Sequence, residues 1–233
     1  MKKNNVIEMP LKKSVLWRDM IVLFICSMTT PYLVQYLSSL TEDQSLQKFI
    51  TLVSNLVWYF ILWIMVTKVE RRSMAAFGIE DRYWGRQILW GILLGAVLFL
   101  VLGLVPILLQ SEEIIFNSFA PKSLRGEMLY CFFLEFFFVA QVEEKVFRGY
   151  YLARLEEATG SRLLAACGAT ALFIIPHIVT RGFSLSLISI VVLGAVLTFV
   201  RLRLKNYSML TLILAHGIYN FALDVFPAYW MIF

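Results

Sequence analysis

The sequence predicts an all-α bundle of about seven membrane-spanning helices, and three observations predict it. Hydrophobic residues make up 60% of the 233-residue chain and charged residues only 16%, against about 25% charged in an ordinary soluble domain. The apolar stretches are long enough to cross a hydrocarbon layer of about 30 Å, which takes about 20 helical residues. The basic residues gather in alternate connections, the pattern of membrane proteins that keep Lys and Arg on the cytoplasmic side. A single membrane-embedded domain over residues 1–233 follows, with no stretch left for a soluble second domain.

The elements are justified in chain order. The basic segment MKKNNVIEMPLKKSVLWRD reads as a cytoplasmic tail. A cleaved signal is not expected, because the apolar run starts late, near Met20, and no small-residue cleavage site closes it. The spans are expected at 20–40, 48–67, 88–109, 126–142 with a helical extension to about 157, 162–180, 184–200 and 208–226. Between the second and third, residues 68–87 carry basic side chains with Phe77, Tyr83 and Trp84. We read them as a plain loop with aromatic anchors, the alternative being an amphipathic helix lying on the membrane surface. Gly91 and Gly95, four apart, mark a close helix contact in the third span. Pro31, Pro106 and Pro176 lie inside or near the ends of spans, where proline bends a membrane helix rather than ending it. Cys26, Cys131 and Cys167 sit in apolar runs without metal-ligand spacing and read as small buried hydrophobes.

Of the 21 Lys and Arg residues, 17 fall in the tail, 68–87, 145–162 and 201–207. That bias puts the N-terminus in the cytoplasm and, with seven spans, the C-terminus outside. The net charge of +5 therefore reports topology and calls for no nucleic-acid partner. No internal repeat or pair of broken helices suggests a transporter.

Polar residues inside these runs carry the functional signal, since ionisable groups in a membrane are costly. Glu143 and Glu144 lie in VEEKVFRGY at the end of an apolar run. Neighbours on a helix point about 100° apart. Glu144 and Arg148 are i,i+4 and can pair, which leaves Glu143 as the candidate base. The plainer alternative is a helix end with surface salt bridges. Phe173 and His177 share a face around Pro176. His216, Asn220 and Asp224, each four apart, form a polar stripe on the last span, which must face the interior. Its plainer reading is hydrogen bonding between helices.

A carboxylate can take a proton from water, one histidine can orient that water, and a second with an asparagine can donate to an oxyanion. This is a hydrolase constellation that needs no Ser or Cys nucleophile. Glu143, His177 and His216 could instead hold zinc, since two His and one Glu are a catalytic ligand set. HExxH is absent, and spacing leaves the choice open. There is a difficulty of depth: straight helices starting at the membrane edge put His177 about 22 Å in and His216 about 12 Å. They meet only if the fifth span starts earlier, tilts, or bends at Pro176.

In order and separation, EExxxR (Glu143, Glu144 and Arg148, followed by Gly149), FxxxH (Phe173 and His177) and HxxxN (His216 and Asn220) resemble the motifs of the CPBP family. This family is also called the CAAX protease and bacteriocin-processing family, or Abi family, and includes prenyl-protein endopeptidases. The motifs span residues 143–220, and the family core would occupy about 124–226. The resemblance implies a multi-pass protein of a bacterial cell membrane and a glutamate-type intramembrane endopeptidase with no cofactor, zinc being disfavoured. It implies that Glu143 with His177 activates water, that His216 and Asn220 form the oxyanion hole, and that Glu144, Arg148 and Phe173 support the site. The expected substrate is a peptide or protein, prenylated or otherwise apolar and met at the lipid bilayer, or a bacteriocin-like peptide to be processed. The alternative is a membrane bacteriocin self-immunity or interaction protein that acts without proteolysis.

Overall fold

The computed structural model describes residues 11–74, 83–105, 124–183, 185–204 and 209–230. Among these, every regular element is a helix. In chain order α1 is Lys13–Ser39, and α2 is Gln44–Val69, closing on a π-helical turn at Met65–Val69. Next, α3 is Trp84–Leu104, with a π-helical stretch at Phe99–Leu104. Helix α4 runs on without a break through Leu124–Phe133, a π stretch at Leu134–Ala140, Gln141–Glu144, a second π stretch at Lys145–Tyr151, and Leu152–Thr159. Then come α5 at Arg162–Arg181, α6 at Leu185–Arg203 and α7 at Met209–Trp230. The tail before Leu11, residues 75–82 of the 68–87 segment, and Pro106 lie outside the described residues.

Six helices, α1 to α3 and α5 to α7, are long and apolar enough to cross a membrane. The expected fourth span is present as α4, but it carries Glu135, Glu143, Glu144, Lys145 and Arg148 along its length and is not apolar enough to count with them. On α3 the two faces separate cleanly. Gln87, Gly91, Gly95 and Leu98 are buried, whereas Trp90, Leu93, Val97 and Leu100 stand about half exposed. Such an outward apolar stripe suits lipid and would be an aggregation site in water. The same logic corrects the expectation for the cysteines. All three are free thiols, none is fully buried, and Cys167 is exposed, because in a bilayer a small apolar residue need not be covered by protein.

Small residues set the tightest packing. A Cβ on Gly91 would lie 2.7 Å from the Leu214 Cβ, and one on Gly95 would lie 2.9 Å from the Ala215 carbonyl oxygen. Only glycine lets α3 and α7 approach this closely. Proline interrupts neither α1 at Pro31 nor α5 at Pro176.

The α4–α5 hairpin positions the site. Gly160 ends α4 in the left-handed region, with φ 71°, where glycine is favoured. Ser161 caps α5, its hydroxyl accepting from the Leu164 amide at 3.3 Å. From that turn the two helices run antiparallel: Leu155 fills the space over Gly168, and the Phe147 and Phe173 rings meet at 5.3 Å. Four residues beyond that ring contact, on α4 and α5 respectively, lie Glu143 and His177. The fifth helix begins at Arg162, as expected, and Pro176 does not interrupt it.

At the same end of the bundle a buried polar clasp ties three segments together. Arg154 on α4 pairs with Glu70, which also accepts from the Tyr150 hydroxyl at 2.8 Å. Glu157 accepts from Arg72 through both guanidinium nitrogens, at 2.7 and 2.8 Å, and from the Leu11 amide at 3.1 Å. The Arg72 hydrogen bond, working against burial, holds the Glu157 carboxyl below its ordinary range. Arg71 between the two clasp residues sits at φ 54°, a left-handed backbone that is costly for a side-chain-bearing residue. The first turn of the 68–87 loop is thus folded back onto α4.

Candidate active site

Glu144 is the centre of the site. Its side chain is fully buried, as is that of Arg148 one turn on, and Arg148 Nη1 donates to Glu144 Oε1 at 2.8 Å. The i,i+4 spacing makes this bond local, but the rest of the arginine is held by other helices. Nη2 donates to the Gly194 carbonyl on α6 at 3.2 Å, and the guanidinium lies 4.2 Å from the centre of the Phe173 ring on α5. Gly194 is required twice. A side chain there would strike the Phe173 ring, 2.9 Å from its Cβ position, and without one its carbonyl is open to Arg148.

From α7, His216 Nδ1 meets the same Glu144 Oε1 at 2.8 Å. A carboxylate only accepts, so Nδ1 carries the proton and donates. The other ring nitrogen, Nε2, then faces Glu143, 3.8 Å from Oε2. Glu144 holds the imidazole as the buried aspartate does in a hydrolase triad. Glu143 differs from its neighbour in exposure, its side chain being 17% accessible against 0% for Glu144.

His177 stands one turn beyond Phe173, their rings 4.8 Å apart, with Nδ1 2.8 Å from the Phe173 carbonyl oxygen. A carbonyl cannot donate, so this bond places the proton on Nδ1 and leaves Nε2 as the acceptor nitrogen of the neutral ring. Phe173 therefore separates the two histidines while stacking on Arg148, its ring centre 6.1 Å from that of His216. Asn220, one turn past His216, donates from Nδ2 to Glu135 Oε2 at 2.8 Å. Asp224, the third member of the expected stripe, is exposed: the stripe enters the bundle with two residues and leaves it with the third.

A family model described as Rce1-like, Type II CAAX prenyl endopeptidase Rce1-like, matches residues 125–222. The matched stretch holds every motif residue. The match, which covers less than half of the chain, supports a general intramembrane protease function. Comparison with curated proteins and with solved structures returned no match.

The fold thus brings Glu143, Glu144, Arg148, Phe173 and His216 into one connected group, with His177 and Asn220 at its margins. Two participants lie outside the sequence motifs. Gly194 gave no local signal. Glu135 did: it is a lone carboxylate in the apolar run LEFFF, and the rule that singles out Glu143 applies equally to it. Among the described residues, no three His, Cys, Asp or Glu side chains are grouped so as to hold a metal ion. What the group offers is a partly accessible carboxylate beside an oriented imidazole, in a site closed by apolar helices.

Proposed function

We propose that this chain is an intramembrane endopeptidase that hydrolyses peptide bonds with a water molecule activated by Glu143. The observation that carries the reading is the buried assembly of Glu144, Arg148 and His216, which sets His216 Nε2 3.8 Å from the Glu143 carboxylate. That gap is too long for a direct hydrogen bond, and a water molecule bonded to both groups would sit to the side of the line that joins them. In the reaction Glu143 takes a proton from the water as its oxygen attacks the scissile carbonyl, and His177 steadies the water through Nε2. The carbonyl oxygen becomes an oxyanion, stabilised by N–H donors from Asn220 and from doubly protonated His216, with Glu144 as counter-charge. Collapse of the intermediate breaks the C–N bond, and Glu143 returns its proton to the leaving amine. Neither step needs a metal ion.

The proposed substrate is an apolar or prenylated peptide tail that approaches from the bilayer, or a bacteriocin-like peptide. The test uses purified protein in proteoliposomes with a farnesylated C-terminal peptide, its products read by mass spectrometry with and without a strong chelator. Release of a C-terminal fragment, unchanged by chelation, is expected. Loss of cleavage on chelation, restored by zinc alone, would overturn the metal-free mechanism. No cleavage above a Glu143→Gln control would overturn the prenylated-substrate reading.

The proposed orientation keeps the N-terminus and the 68–87 loop in the cytoplasm, on the strength of the Lys and Arg bias. In a background lacking Cys26, Cys131 and Cys167, Ser73→Cys should resist an impermeant thiol reagent in intact cells and Glu42→Cys should react. Both positions are exposed, so the opposite pattern refutes the orientation.

A further inference from the structure

Glu135 is buried to 7% exposure and accepts a hydrogen bond from Asn220 at 2.8 Å. It belongs to none of the three motifs. In an unbroken α-helix, residues eight apart diverge by roughly 80°. The π-helical stretch Leu134–Ala140 uses more residues per turn, and Glu135 reaches α7 alongside Glu143 and Glu144. The contact there is close, for a Cβ on Gly217 would lie 2.8 Å from the Phe136 ring. The Glu135–Asn220 bond therefore sits in one of the tightest parts of the α4–α7 interface, one turn along α7 and about two along α4 from the His216–Glu144 bond.

We propose that Glu135 is a positioning residue that locks the Asn220 carboxamide with its nitrogen turned toward α4. This rests on the endopeptidase reading above. An ionised carboxylate accepts and never donates, so the Asn220 amide cannot turn over while Glu135 faces it. One N–H is spent on Glu135, and the direction of the second follows from the first. The side-chain oxygen, which would repel a developing oxyanion, is kept on a fixed side. A bond that only joined helices would be served as well by a glutamine, with no charge to bury, since hydrogen bonds between membrane helices are individually weak and ionisable groups costly.

The experiment measures kcat and KM in proteoliposomes for the wild type and for Glu135→Ala, Glu135→Gln, Asn220→Ala and the double variant Glu135→Ala/Asn220→Ala. Glu143→Gln serves as the inactive control, and folded protein is quantified by size-exclusion chromatography. Glu135→Ala is expected to lower kcat about 10- to 100-fold with KM changed less than about twofold, as for loss of a transition-state contact. Glu135→Gln, which still accepts but lets the amide turn over, should fall between it and the wild type. Because Glu135 acts through Asn220, the double variant should be no slower than Asn220→Ala alone. A wild-type kcat in folded Glu135→Ala, or losses that multiply in the double variant, overturns the positioning role while the endopeptidase reading stands. Absence of any Glu143-dependent cleavage overturns both.

Discussion

Glu143→Gln is expected to lower kcat by about 10²- to 10⁴-fold, the range for loss of a general base, while leaving folding and membrane insertion intact. The substitution keeps the shape of the side chain. It costs little in stability because Glu143 lies at the accessible edge of the group and meets His216 only at 3.8 Å. Intact folding should show as wild-type yield and the same elution in detergent. A folded Glu143→Gln protein that cleaves at the wild-type rate would remove Glu143 from the chemistry and leave His216 Nε2 without a reacting partner.

Arg148→Ala should have the largest effect on the fold itself. The arginine is fully buried and bonds two other helices, through Gly194 and Phe173, besides its own-turn partner Glu144. Its removal strands the Glu144 carboxylate in an apolar interior, a change worth about 3–5 kcal/mol. Arg148→Lys should recover only a small part, since an ammonium cannot reach Glu144 and Gly194 at once as the planar fork does. Thermal unfolding in detergent, followed by loss of soluble protein, measures both. A near-wild-type midpoint for Arg148→Ala would mean that His216 alone suffices to compensate Glu144.

The helices were legible because membrane spans announce themselves through local composition, and Gly91 and Gly95 marked the α3–α7 contact for the same reason. The pairing of Glu144 with Arg148 could be read from spacing along one helix. What could not be read is whatever depends on another helix. Glu70, Arg72, Arg154 and Glu157 look like ordinary loop and helix-end charges. Only packing of the 70–72 turn against α4 turns them into a buried clasp. His177 and His216 look mismatched in depth along straight spans, yet both rings lie against Phe173, at 4.8 and 6.1 Å. The π stretches on either side of Gln141–Glu144 change which face each side chain occupies, and a 3.6-residue period cannot foresee them. Glu135 was visible in principle, but its partner Asn220 lies 85 positions away, and sequence spacing could not show that they meet.

Cleavage of peptide bonds through Glu143 can be measured without assuming a substrate. Membranes from cells expressing the wild type and from cells expressing Glu143→Gln at equal levels are compared by mass-spectrometric mapping of all newly formed peptide termini. A set of termini in membrane-associated proteins or peptides is expected to appear with the wild type and to be absent with Glu143→Gln. Identical termini in the two samples, with both proteins folded and inserted, would contradict it.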